Sequence, residues 1–140
     1  MKIGENIVLR DKPLFLAPME DVTDPSFRWA CKEYGADVVY TEFISSDGLI
    51  RDARKSLEKL KTYDYEGPVG IQIYGSIPEA MVDAARMADR ATELVETHGA
   101  DLIDINFGCP VSKIARRGAG SGMMKEPDKM VAITKAVVEA

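Results

Sequence analysis

The segment Asp104-Ile105-Asn106-Phe107-Gly108-Cys109-Pro110 sets a cysteine directly after an apolar run, with an asparagine three residues before it and a proline immediately behind. A cysteine in such a place can be a small core hydrophobe, a metal ligand or a reacting group. A metal site needs several thiolates, imidazoles or carboxylates at suitable spacing, and Cys109 has no neighbouring Cys or His. No metal is therefore expected. The single histidine, His98, precedes the apolar run whose far end carries Cys109, so strand geometry puts the two at opposite ends and disfavours a Cys–His nucleophile pair. What remains is a lone thiol. A free thiol titrates at about 8.5 and is mostly protonated at neutral pH, which suits a group that gives one proton and recovers it from water. Cys31, in Phe27-Arg28-Trp29-Ala30-Cys31-Lys32, reads instead as a small buried hydrophobe within a helix.

Other residues able to do chemistry fall near the same chain positions. Strand alternation groups Ile71 with Ile73 and Ile103 with Ile105, leaving Gln72, Asp104 and Asn106 on the opposite faces. Apolar faces suit packing against helices, so the amides and the carboxylate would line an interior. Buried polar groups need partners, and the open alternatives are a polar ligand or mutual hydrogen bonds. Glu42 either joins this ring or is a plain loop carboxylate. The glycine-rich run at 118–122 allows a close backbone approach or a flexible loop, but lacks the order of a phosphate-binding fingerprint.

These side chains need a frame. Four short apolar runs, at residues 14–17, 37–41, 69–74 and 101–106, read as buried strands. Helical patterns lie between them. One is capped by Asp24 with Pro25 in its first turn and stopped by Gly35. A second runs from Pro78 to Gly99 with the stripe Met81, Ala84, Ala85, Ala88, Ala91 and Val95. A third covers residues 52–61, and a last one opens at Pro127 with Met130, Val131, Thr134 and Val138 on one side. Strand–helix alternation predicts an α/β fold with a parallel sheet. The strands start about 23 to 32 residues apart. Four such units make the first half, from the first strand to the fourth helix, of a (β/α)8 TIM barrel, which needs ~250 residues. The alternative is a small doubly wound domain. A nucleotide-binding version is disfavoured because no Gly-x-Gly-x-x-Gly follows the first strand.

Composition bounds the rest. The 140 residues suffice for one domain, and 46% hydrophobic with 29% charged residues is an ordinary globular balance. No run of roughly 18 apolar residues points to a membrane span, and Met1–Lys12 lacks the apolar core of a signal peptide. Two cysteines are too few for a disulfide scaffold, so a cytoplasmic protein with reduced thiols is expected. Net charge is −5, which excludes indiscriminate nucleic-acid binding by the whole surface. Yet residues 107–125 carry Lys113, Arg116, Arg117 and Lys125 and no acid, a basic loop on an acidic body.

At this point Leu16-Ala17-Pro18-Met19-Glu20-Asp21-Val22-Thr23-Asp24-Pro25-Ser26-Phe27-Arg28, Gly70-Ile71-Gln72-Ile73-Tyr74-Gly75 and the stretch from Asp104 to Met124 together resemble the tRNA-dihydrouridine synthase family, especially its bacterial branch, over nearly the whole chain. The resemblance implies reduction of the C5–C6 double bond of particular tRNA uridines to 5,6-dihydrouridine, with hydride from FMN, NADPH as reductant and a proton from a cysteine, matched here by Cys109. It implies that Pro18, Met19 and Glu20 wrap the flavin ring and that Gln72 hydrogen-bonds it. Asn106 matches a residue near uracil and cofactor, and Lys113 and Arg117 lie beside the tRNA path. The target base must leave its stack to reach such a pocket, and basic residues would hold the adjoining phosphates. Family members are about twice as long, place a lysine and a histidine against the flavin from later strands, and carry a C-terminal helical domain that grips RNA. Residues 1–140 thus correspond to the N-terminal half of the FMN-binding barrel, with the remainder and the RNA-binding domain absent. Such a half is expected to be inactive alone, to bind FMN weakly, and to self-associate through exposed strand edges. Two other readings stay open: an FMN barrel resembling dihydroorotate dehydrogenases, and a non-catalytic, self-associating half-barrel.

Overall fold

In a computed structural model all residues, 1–140, are described. The chain opens with a small antiparallel hairpin, β1 (Lys2–Ile3) and β2 (Ile7–Val8), turned at Gly4 with φ +58°. This hairpin was not among the sequence expectations: two-residue strands leave too little alternation to read.

The main sheet is parallel throughout. It contains β3 (Val39–Tyr40), β4 (Ile44–Ser45), β5 (Val69–Tyr74) and β6 (Leu102–Ile105). The expected strand at 14–17 survives as one parallel bridge, Phe15 to Val38, supported by Leu16 N–H to the Val38 carbonyl at 2.9 Å and Asp37 N–H to the Leu14 carbonyl at 2.8 Å. The spatial order is therefore the chain order, residue 15, β3 with β4, β5 and β6, as in successive units of a (β/α)8 barrel. Both β3 and β4 lie on the edge of β5 that faces away from β6. Tyr40 pairs with Gly70, but Ile44 pairs with Ile73, so the segment Thr41–Phe43 holds one more residue than its partner. That extra residue is a bulge, which bends the strand and re-aims its side chains.

Helices cover one side. They are α1 (Pro25–Glu33), α2 (Ser46–Leu49), α3 (Arg54–Glu58), α4 (Pro78–Asp89), α5 (Ala91–Leu94), α6 (Ser112–Ala115) and α7 (Pro127–Val138). Asp24 caps α1 as expected, accepting from the Phe27 N–H at 2.8 Å. Three expectations need correction. The helix predicted to run from Pro78 to Gly99 breaks at Arg90, and the helix predicted over 52–61 shrinks to Arg54–Glu58. Of the side predicted for the last helix only Met130 packs inward: Val131 and Val138 are 66% and 78% exposed, while Ile133 is buried with Met130 and Val137 packed beside it. Two apolar stripes share that helix, and composition alone does not rank them. Cys31 is half-buried.

The core forms between sheet and helices. Ile71 and Ile73 of β5 meet Met81, Ala84, Ala85 and Ala88 of α4, together with Ile44, Leu49, Leu60, Met123 and Ile133. The small residues of α4 let the helix approach the sheet closely.

One buried ion pair locks the first loop to this frame. Arg28 of α1 reaches both carboxylate oxygens of Glu66, at 3.2 and 3.0 Å, with side chains 3% and 0% exposed. Its remaining N–H groups donate to the carbonyls of Thr23 at 2.7 Å and Lys61 at 3.0 Å. Thr23 in turn exchanges hydrogen bonds with the Met19 backbone. The guanidinium thus joins the loop that carries Pro18–Glu20 to the segment entering β5. Leaving one member of such a pair alone is costly, whereas replacing both can be nearly neutral. Glu66→Ala is expected to lower unfolding free energy by about 3 kcal/mol in a urea titration, and Arg28→Met with Glu66→Leu by less than either single change.

Candidate active site

The site is built on the in-register pairing of β5 with β6, which matches Gly70 with Leu102 and Gln72 with Asp104. Alternation sends Ile71, Ile73, Ile103 and Ile105 toward the helical core and Gln72 and Asp104 to the other face. Gly70 is required there: a Cβ would sit 2.6 Å from the Tyr40 ring and 2.7 Å from the Leu102 side chain. Tyr40 fills that layer, and burial, with the Asp104 carboxylate nearby, raises its phenol pKa.

Above this layer the polar side chains are bonded to one another. The Gln72 amide nitrogen donates to the Asp104 carboxylate, and the Asn106 amide nitrogen donates to Gln72 Oε1 at 2.9 Å. Asn106 Oδ1 then accepts from the backbone N–H groups of Gly108, at 3.0 Å, and Cys109, at 2.9 Å. The two sequence alternatives, mutual bonding and ligand binding, coexist: each amide spends only part of its capacity, since an NH2 has two donors and a carbonyl oxygen two lone pairs.

The turn at Cys109 is held from behind. Its carbonyl accepts from the Ser121 N–H at 2.9 Å. Gly120, at φ +53°, lies so close that a Cβ would come within 2.6 Å of that carbonyl. The close approach allowed by the glycine run is thus to the chain's own strand end. Cys109 remains partly exposed.

Two adjoining clefts open beside these groups. The first is lined by Pro18, Phe43, Gln72, Asn106 and Cys109, among others. The second holds Glu20, Phe43, Asp47, Tyr74, Lys113 and Arg117. The predicted site residues therefore divide: Pro18, Gln72, Asn106 and Cys109 come together, and Glu20, Lys113 and Arg117 meet next door. Glu20 also pairs with Lys59 at 2.9 Å. Met19 is exposed and lines neither cleft. Glu42 does not join the amide ring: it accepts from the Asp21 N–H and lies 3.8 Å from Lys59. Sequence reasoning missed Phe43 and Tyr74. Their rings meet edge to face at 5.5 Å, and Phe43 borders both clefts. Only the bulge aims Phe43 there, and no residue-type pattern marks it.

Comparison with known proteins follows the same residues. A family model described as dihydrouridine synthase (Dus) matches residues 15–140. The tRNA-dihydrouridine synthase B of Vibrio vulnificus is 42% identical over 140 residues, all of this chain and 41% of that protein. That of Escherichia coli (strain K12) is 40% identical over the same span, again 41% of its length. A probable tRNA-dihydrouridine synthase of Treponema pallidum is 34% identical over 127 residues, 91% of this chain and 36% of that protein. The chain thus spans less than half the length of these curated relatives. With the matched residues covering the sheet, the helices around it and the Cys109 turn, the chain belongs to the dihydrouridine synthase family.

Proposed function

We propose that the protein to which these residues belong reduces uridine in tRNA to 5,6-dihydrouridine, with Cys109 as proton donor. The observation that carries this reading is the convergence of Cys109, Asn106 and Gln72 on one cleft at the C-terminal ends of parallel strands, beside a second cleft containing Lys113 and Arg117. Strand C-terminal ends are where barrel and open-sheet folds bind their ligands.

The donor set suits FMN. Gln72 keeps one N–H and one lone pair after its bonds to Asp104 and Asn106, which fits the alternating donors and acceptors along a flavin's pyrimidine edge. Pro18 and Phe107 supply apolar wall for the flat ring. When bound, FMN supplies the hydride for uracil carbon 6, and NADPH restores it. Gln72 and Asn106 orient the ring edges. Cys109 gives its Sγ proton to carbon 5 as the C5–C6 double bond is lost, and the resulting thiolate recovers a proton from water. The two main-chain bonds on either side of Cys109 fix the thiol's place without engaging the sulfur.

Lys113 and Arg117 form no ion pair with an acidic side chain, and both line the second cleft. They serve as phosphate contacts for an RNA whose target uridine is turned out of its stack. The basic loop after Cys109, which carries Lys113, Arg116 and Arg117 and no acid, favours RNA over the small-molecule substrate of a dihydroorotate dehydrogenase-like barrel, although Glu20 and Asp47 also line that cleft. A cytoplasmic setting, where tRNA is modified, is consistent with it. Within residues 1–140, β6 pairs only with β5, so its outer edge is open. The isolated residues are accordingly inactive, weak in FMN, and prone to associate through that edge, which is also the setting in which a non-catalytic half-barrel would persist.

Two outcomes test the assignment. In the protein with its complete barrel, Cys109→Ala is expected to cut dihydrouridine formation by roughly 10²–10⁴-fold with the yellow flavin spectrum retained; unchanged turnover would remove Cys109 from the reaction. Lys113→Ala and Arg117→Ala are expected to raise KM for tRNA and to lessen the salt dependence of binding by about one unit of log–log slope each, and an unaltered slope would take the RNA away from that cleft.

A further inference from the structure

We propose that Asp104 is a positioning residue: its carboxylate sets which way the Gln72 and Asn106 amides face, and through them holds the backbone at Gly108 and Cys109. The idea rests on the flavin reading of the cleft only for what the amides finally bind.

Hydrogen-bond polarity decides which way each amide faces. An amide side chain is nearly symmetric in shape, and its two orientations are distinguished only by the partners around it. The chain of bonds here runs Asp104, Gln72, Asn106, then the N–H groups of Gly108 and Cys109. Its two ends have a single possible role each. A carboxylate accepts, and a backbone N–H donates. With an acceptor at Asp104, Gln72 must present its NH2 there and its Oε1 to Asn106. Asn106 must then present its NH2 to Gln72 and its Oδ1 to the Cys109 turn. Without the carboxylate, Gln72 is held only by its one bond from the Asn106 NH2, which the Gly108 and Cys109 N–H groups still aim at it, and a half-turn that sets NH2 against NH2 breaks that link. Asn106 would then be held only from the loop side.

The surroundings supply no substitute. Ser and Thr hydroxyls could play either role, but the Gln72 side chain has no partner other than Asp104 and Asn106, and the Asp104 side chain accepts from no other donor. Gln72 is buried, so a lost partner is not replaced freely by bulk water. Asp104 itself lines neither cleft, which is why its effect on a bound ring acts through Gln72.

The test uses the 15N-labelled protein with its complete barrel, for the amide spectra and for FMN binding alike. Asp104→Leu is expected to displace the side-chain amide signals of Gln72 and Asn106 together with the backbone N–H signals of Gly108 and Cys109, while helix α4 keeps its wild-type spectrum. Asp104→Asn, which can still accept through its carbonyl oxygen, is expected to restore the Asn106, Gly108 and Cys109 signals. Should Asp104→Leu unfold the sheet, Asp104→Ala gives the same readout without added bulk. A response confined to Gln72, with Asn106, Gly108 and Cys109 at their wild-type positions, would overturn the proposal. Binding of FMN gives a second readout: Asp104→Leu and Gln72→Leu should each weaken it by roughly tenfold, and the double variant by no more than either. Additive losses would mean that Asp104 acts by another route. A wild-type protein with its complete barrel that bound no FMN would count against the flavin reading of the cleft, and the amide spectra would still decide the role of Asp104.

Discussion

Everything near Cys109 depends on the parallel register of β5 and β6. Four consecutive pairs, from Gly70–Leu102 to Ile73–Ile105, fix which residues share a face. Because side chains alternate with period two, a slip by one residue would turn Gln72 and Asp104 into the helical core and the isoleucines toward the clefts. The register is held by both faces at once. On one, Ile71 and Ile73 are packed against α4 at full burial. On the other, Gly70 leaves room for Tyr40 and Leu102, and Gln72 finds Asp104 directly opposite. Apolar packing thus makes slippage costly, and the polar bonds choose among the few arrangements that packing allows.

Much of this is legible in the sequence. Strong local signals carried the strand at Val69–Tyr74, the cap at Asp24 and the inward set of Gln72, Asp104 and Asn106, because each depends on periodicity or on a cap residue next to its helix. The errors arose where the deciding partner is distant in the chain. Residues 14–17 are apolar enough for a strand, yet their pairing narrows to one bridge, with Asp37 taking the Leu14 N–H through its side chain at 2.6 Å and its carboxyl pKa lowered by that bond. The last helix carries two apolar stripes, and only the position of α4 decides that Ile133 rather than Val131 is buried. The Arg28–Glu66 pair joins residues far apart, and nothing in either neighbourhood announces it. Phe43 reaches the clefts only through a bulge whose existence depends on the register of β5.

The glycines after Cys109 illustrate a different ambiguity. A run such as Gly118–Gly122 reads equally as a close backbone approach or a flexible loop. Its role here is fixed by what stands opposite. A Cβ at Gly120 would strike the Cys109 carbonyl, and one at Gly122 would strike the carbonyl of Ala115. The loop therefore packs backbone to backbone, and the Ser121 N–H bonds the strand end it covers. Glycine is needed for contact within the chain, and the basic residues just before it are left free to face outward.

That separation bears on how one cysteine can be both well placed and available. A thiol fixed by hydrogen bonds to its own sulfur would have to break them to deliver a proton. At Cys109 the restraint falls on the main chain instead: Asn106 Oδ1 accepts from its N–H, and its carbonyl takes the Ser121 N–H. The side chain packs against the cluster of Phe43, Ile114 and Ala119, which limits its rotamers with apolar contacts. Phe43 also divides the cleft that contains Gln72 from the one that contains Lys113 and Arg117. Amide edges and the thiol thus stand on one side of an aromatic wall, and a mixed set of charges, Lys113 and Arg117 with Glu20 and Asp47, on the other. A single residue placed by a strand bulge is the wall the two clefts share, with the thiol on the side of the amides.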